Sequence, residues 1–292
     1  MSDMADVPLP EWERAMEMGR RKMTIGIAAT CDFGTHHPKV ILCSDWQVTS
    51  ELGAAQTHFK EWHLGKNWHC LYAGKPPSAR ALIFGLRNKI LQHSSDIDET
   101  NIVSIIQSAL NERKFSLCNE FVQGRYAMSY DAFLSSGKTN LPADRFLSAV
   151  HAIENIVLGA EFLITGFIFG YPIIIQTDQR CGVSIKESFA CIGEGSYLAH
   201  ASLMHRAHDE MGPLGTSIYS VYEAKKWAER NRTVGDMTAM DIYSKDGTRK
   251  LVSLKGKNIL DKNFGDYGPR AVPTDLTLPE EVFQDSTEMK DT

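Results

Sequence analysis

A threonine hydroxyl is a poor nucleophile until a base removes its proton, and a free α-amine on the same residue, with a pKa of about 8, can do so. That amine exists only when the threonine is residue one. The stretch KMTIGIAAT (Lys22–Thr30) sets Thr24 between Met23 and an apolar run of strand length, and it reads like the start of a chain although a leader precedes it. The leader, MSDMADVPLPEWERAMEMGRRK, contains Pro8 and Pro10 and then a short amphipathic helix pattern around Trp12–Met18. Two origins stay open for it. It is a propeptide that caps the site until cleaved, or an upstream start, with Met23 the initiator that is trimmed before a small residue. Both leave Thr24 first; a retained leader blocks the amine and leaves Thr24 an ordinary strand residue.

Histidine and cysteine offer less. His36-His37 and His205-x-x-His208 could be ligand pairs, but neither has a third and fourth ligand at recognised spacing. The polar face of an amphipathic helix is enough to explain His205 and His208, so no metal and no cofactor is expected. The six cysteines (Cys31, Cys43, Cys70, Cys118, Cys181, Cys191) are scattered through apolar runs with no CxxC pair, which reads as buried free thiols rather than a disulfide framework.

At 292 residues and 43% hydrophobic content, the chain can bury a full core. No apolar run reaches the roughly 18 residues that span a bilayer, and the leader lacks the apolar stretch of a signal peptide, so the expectation is a cytoplasmic protein without a membrane partner. The formal net charge is -5, and residues 266–292 hold seven acids against Arg270 and Lys290. The body is therefore neutral, with no basic stripe to receive nucleic acid. The expected organisation is a leader over 1–23, one domain over 24–265 and an acidic flexible tail over 266–292.

The elements that must position Thr24 follow from periodicity. Short apolar runs at Thr24–Ala29, Val40–Cys43, His58–Leu64 and His69–Tyr72 predict a meander of four strands. Helical spacing follows over Ser78–His93 and Asn101–Val122, little period over 123–142, and a helix again over Ala143–Asn155. Strands are predicted at Glu161–Phe169, Tyr171–Gln176, Val183–Ile185 and Phe189–Ile192, then helices over Ser196–Met211 and Ser217–Arg230 with Ser196 and Ser217 as N-caps. A hairpin around Lys245-Asp246-Gly247 joins Ala239–Tyr243 to Arg249–Leu254. Grouped strands separated by grouped helices predict two packed sheets with helix layers outside, an α+β sandwich rather than alternating βαβ units.

Several segments resemble one family. TIGIA (Thr24–Ala28) leading to VILCSDWQVTS (Val40–Ser50), then HFKEWHL (His58–Leu64) and LYAGKPPSARAL (Leu71–Leu82), is similar to proteasome β subunits and bacterial proteasome homologues, and Phe162–Leu203 resembles the family's second sheet with its Gly-x-Gly-Ser turn and helix. The resemblance covers about residues 23–254. It implies an N-terminal nucleophile (Ntn) hydrolase with a four-layer αββα sandwich and a threonine peptidase activity on peptide or amide substrates. By the same match Thr24 is the nucleophile and, through its amine, the base; Asp45 pairs with Lys60, whose charge lowers the pKa of the nucleophile. The N–H of Gly74 is the oxyanion donor. Thr49 binds substrate backbone, Tyr72 floors the specificity pocket, and Ser196 matches the second serine of the Gly-x-Gly-Ser turn. Residues 60 to 74 match the family spacing without a gap, and 45 to 60 is one residue short.

The chain also departs from that pattern. The loop CDFGTHHP (Cys31–Pro38) is long, Glu194 stands where a serine assists the amine, and Asn231 and Val234 stand where an aspartate and a second serine complete the site. Glu194 could take over part of the proton relay, or be a solvent-exposed acid near a helix N-terminus. Two rival readings follow: a proteasome-like structural or interaction subunit without catalysis, and a small-molecule amidase, since fold does not set substrate. The run ALIFGLRNKIL (Ala81–Leu91) has more apolar surface than one sheet face covers, so a homo-oligomer is expected; an ATPase partner stays unidentified.

Overall fold

A strand shows its two faces alternately to different neighbours, and in this chain the alternation sorts the apolar residues into separate clusters. The structure, a computed structural model, describes residues 25–45, 47–50, 53–56 and 60–268. In chain order the first strands are β1 (Gly26–Cys31), β2 (Lys39–Asp45), β3 (Gln47–Ser50), β4 (Gly53–Gln56), β5 (Glu61–Gly65) and β6 (Trp68–Gly74). After a helical stretch come β7 (Ala160–Ile168), β8 (Tyr171–Thr177), β9 (Val183–Lys186) and β10 (Phe189–Ile192), and later β11 (Thr238–Ser244) and β12 (Arg249–Leu251). Two five-stranded antiparallel sheets result, ordered β10-β1-β2-β11-β12 and β5-β6-β7-β8-β9, and among the described residues β3 and β4 pair with each other alone.

Among the described residues there are seven helices: α1 (Pro76–Gln92), α2 (Ile102–Tyr126), α3 (Tyr130–Asn140), α4 (Ala143–Glu154), α5 (Ser196–His205), α6 (Leu214–Ala228) and α7 (Leu254–Tyr267). The class is α+β, as grouped strands and grouped helices predict. One buried cluster takes Ala28, Leu42 and Ile192 from the first sheet together with Leu71, Leu163 and Ile174 from the second. The opposite face of β6, through Cys70 and Tyr72, joins Leu82 and Leu86 of α1 and Ile106 of α2. In the first sheet Ile27, Ile41 and Cys43 meet Leu203 of α5, Val221 of α6 and Leu260 of α7. A smaller cluster holds α2, α3 and α4 together through Cys118, Phe133 and Ala149. All six cysteines are free and buried, and burial pushes the Cys31 and Cys43 thiols up to about 12. No helix among the described residues is long and apolar enough to cross a membrane.

Several expected elements differ. The first four predicted strands are not one meander, because β1 and β2 lie in one sheet and β5 and β6 in the other. Between them is the β3–β4 hairpin, whose small and polar residues carry no apolar alternation. The aperiodic stretch 123–142 contains α3, which Ser129 caps by accepting from the Ala132 N–H at 3.2 Å and which packs Phe133 inward. Helix α5 stops at His205 rather than Met211, where Ala207 turns left-handed at φ 48°. Neither serine cap forms: Gly195 precedes α5 without a side-chain cap bond, and α6 starts three residues early, with extended Pro213 offering its carbonyl to the Ser217 N–H at 3.1 Å. Helix α7 runs to Tyr267, past the expected boundary at 265, and is capped by Ser253, whose hydroxyl accepts from the Gly256 N–H at 3.1 Å.

Candidate active site

Asp45 ends β2, and its carboxyl collects donors from three separate parts of the chain. The Ile25 N–H donates to Oδ1 at 3.2 Å and the Gly235 N–H to Oδ2 at 3.0 Å, while the Lys60 ammonium is paired with Oδ1. Asp45 and Lys60 are almost wholly buried, at 0% and 3% exposure. A buried ion pair lasts only where each charge is matched and the remaining polar atoms are bonded, and here the Asp45 carboxyl is met by an ammonium and by two backbone N–H groups. Burial pulls the Lys60 pKa down, Asp45 opposes that, and the nearby charge of Lys225 adds to the lowering; the net direction is down.

Lys60 leads into β5, and its carbonyl accepts from the Tyr72 N–H on β6 at 3.3 Å. Two residues on, Gly74 has φ +122°, and a Cβ there would lie 2.5 Å from the Gly159 carbonyl oxygen, so only glycine fits. Ala73 is opposite Glu161 of β7, and the Glu161 carboxylate accepts from the Gly193 N–H at 2.8 Å, which ties the turn before α5 to the second sheet. Burial raises the Glu161 pKa, against the Gly193 bond. That same turn closes on the start of β1, since a Cβ on Gly195 would stand 2.8 Å from Val234 Cγ2 and 3.6 Å from Ile25 Cβ. Ile25, Asp45, Lys60, Tyr72, the 193–196 turn and Gly235 therefore form one neighbourhood, with Gly74 two residues past Tyr72 at the end of β6.

The residues singled out by sequence fare as follows. Thr24 lies outside the described residues, one position before Ile25, as does the leader. Asp45 and Lys60 are brought together. Thr49 is on β3, in register with Ala54 of β4. Tyr72 is buried and lines a cavity of about 470 Å³ with Trp62, Pro76, Pro77, Arg80 and Phe84; burial raises its hydroxyl pKa and the Arg80 charge opposes that. Ser196 opens α5, its N–H donating to the Gly193 carbonyl at 3.0 Å. Glu194 is exposed, and its carbonyl accepts from Asn231 Nδ2 at 3.4 Å. Val234 packs its side chain against the turn at Gly195, an apolar contact in place of a second hydroxyl.

His36 and His37 are exposed in the β1–β2 loop, and the His208 ring lies 3.1 Å from the Thr30 carbonyl through Nε2. Among the described residues no group of three His, Cys, Asp or Glu could hold a metal ion.

Three participants escape a sequence reading. Glu161 sits in an apolar strand and gains its role only from the arrival of Gly193. Gly235 serves through its backbone. Lys225, on α6, is fully buried, donates to the Gly235 carbonyl at 2.8 Å and pairs with Glu229. At the end of a helix a Lys-Lys pair reads as solvated charge near the negative dipole end, so no sequence signal marks Lys225. No model of a known protein family matches the chain, and no curated protein matches it.

Proposed function

We propose that the protein is a threonine-type N-terminal nucleophile hydrolase of the proteasome β kind, with the two sheets and their helices forming a four-layer αββα sandwich. The observation that carries the proposal is the buried Lys60–Asp45 pair, bonded through Asp45 to the N–H of Ile25, the residue next to Thr24. In this reading the mature chain begins at Thr24. Its α-amine takes the hydroxyl proton as Oγ attacks the carbonyl carbon of an amide, and the Gly74 N–H stabilises the oxyanion. The amine then hands the proton to the departing nitrogen, and water hydrolyses the ester to free Thr24. Lys60, its ammonium disfavoured by burial, lowers the pKa of the nucleophile, and Asp45 holds it in place. Thr49 binds the substrate backbone and the cavity at Tyr72 receives a substrate side chain, apolar along Trp62 and Phe84 with a cation at Arg80. A cytoplasmic location suits six free, buried thiols. Phe84 and Leu91, 54% and 47% exposed on α1, support a homo-oligomer in which that face is covered.

The test joins intact mass to turnover of fluorogenic peptides and small amides. Active protein begins at Thr24, and a Thr24→Ala variant with the same terminus loses at least about 1000-fold in kcat. Full activity in chains that all retain residues 1–23 overturns the free-amine mechanism. Val234 at the turn, apolar where the resemblance expects a serine, favours a second reading, a non-cleaving interaction subunit. A probe that acylates N-terminal threonine leaves such a subunit unlabelled even after its leader is removed.

A further inference from the structure

We infer that Lys225 is a positioning residue of this site, holding Asp45 in place against Lys60 through the peptide group of Gly235. The inference rests on the assignment of Asp45 and Lys60 to hydrolysis. Both ends of the segment Gly235 are engaged: its carbonyl accepts from Lys225 Nζ at 2.8 Å, and its N–H donates to Asp45 Oδ2 at 3.0 Å. Hydrogen bonds linked in series within a low-dielectric interior polarise one another, and each short, buried connection fixes the next. Lys225 thus stands behind Asp45 as Asp45 stands behind Lys60.

A fully buried ammonium needs a reason. Taking it out of water is costly, and a well-packed apolar side chain of the same volume is often as stable or more so. Glu229 offsets that cost, yet Glu229 does not need Lys225, because Lys226 on the outer side of α6 donates to its other oxygen at 2.7 Å. What Lys225 does alone is reach Gly235. The charged and titratable groups around it are Glu229 on its own helix, Asp45 and Cys43 from β2, and Lys60 before β5. Burial lowers the Lys225 pKa while Glu229 and Asp45 oppose that, and its charge in turn disfavours the ammonium of Lys60. The second lysine therefore steadies the carboxylate that holds the first.

The experiment compares Lys225→Met with Lys226→Met in the full chain, processed to a free Thr24. Both remove a partner of Glu229, and only the first breaks the link to Gly235. Two quantities are read: the titration of Lys60 by NMR of 13C-labelled lysine, and kcat and KM for a fluorogenic peptide across pH. In Lys225→Met the Lys60 midpoint shifts, and kcat at neutral pH falls about tenfold or more with little change in KM; Lys226→Met matches the parent in both. An unmoved Lys60 midpoint in folded Lys225→Met, or equal effects of the two variants, overturns the inference. Should Lys225→Met fail to fold, Lys225→Arg takes its place: it keeps the charge and displaces the donor, so the same fall in kcat at constant KM is expected, and an unchanged kcat overturns the inference. If the parent protein with a free Thr24 turns over no substrate, the hydrolytic reading fails by itself, and the Lys60 titration still decides the role of Lys225.

Discussion

Lys60 and Glu61 are neighbours in the chain, and each belongs to a different buried ionic cluster. Around Lys60 the charges are matched: an ammonium meets a carboxyl that also accepts two backbone N–H groups. Around Glu61 they are not. Its carboxylate faces Asp241 of β11, another carboxyl, with Arg249 of β12 donating to Asp241 at 2.8 Å and to Glu61 at 3.4 Å. The Tyr243 hydroxyl donates to Glu61 as well, and the His69 ring stacks on Tyr243 with centroids 3.7 Å apart. This second cluster borders a cavity of about 840 Å³ and joins the edges of the two sheets.

The titration behaviour follows. Burial pushes Asp241 up, the Glu61 bond and charge push the same way, and against Arg249 they bring it to about 7. Burial also works to raise Glu61, but the neighbouring His69 ring, the Asp241 carboxyl, the Tyr243 hydroxyl and the Arg249 charge outweigh that and hold it at about 2. One proton is thus kept between two carboxyls near neutrality. The lesson is that burial sets the cost of a charge, and the neighbours decide whether the molecule answers it by pairing or by keeping a proton.

Breaking the matched cluster is expected to have the largest effect. Asp45→Ala removes the carboxyl shared by the buried Lys60 ammonium and two backbone donors, and the loss of stability in urea unfolding is about 3–5 kcal/mol. A loss below about 1 kcal/mol would mean that Lys60 finds water on its own and that the two clusters differ less than their burial says. The unmatched cluster is tested through pH. Between the ordinary Asp value of 3.8 and about 7, folded Asp241 keeps a proton that the unfolded chain has released, so stability falls as pH rises through that window. Glu61 acts in the opposite sense, adding stability as pH rises from about 2 to its ordinary 4.5. Asp241→Asn keeps a neutral donor at every pH, and its urea unfolding from pH 4.5 to 7 lacks a decline on the order of 1–3 kcal/mol that the parent shows. An identical decline in both proteins would place the retained proton elsewhere. The smallest effect belongs to an exposed pair. Arg113 and Glu120 on α2 are 2.9 Å apart, with Glu120 59% exposed, and Glu120→Ala costs less than about 1 kcal/mol and less still at high salt.

Local pattern made much of this fold legible. Apolar runs of strand length identify β1, β2 and β6 to β10, and helical spacing identifies α1, α2 and α4, because burial on one face imprints a period on the chain itself. The Ser129 cap with Asp131 in the first turn was a readable sign of α3, outweighed by Gly137 and a run of small polar residues. The hairpin β3–β4 left no such sign, since neither strand alternates.

For the site, the chain by itself determined which side chains are present and how far apart they stand in sequence, and Asp45, Lys60 and Gly74 were marked by their resemblance to one family's motif. Only the tertiary structure decided what meets them. Lys225 and Lys226 are identical and adjacent, yet one turns inward to Gly235 and the other outward, because residues one apart on a helix point about 100° away from each other. Glu161 is bound by a turn 32 residues further along, and Asp45 by a backbone N–H 190 residues away. Contacts across such separations arise when two sheets close on a shared core, and hydrogen bonding to a backbone group asks nothing of the residue type that supplies it.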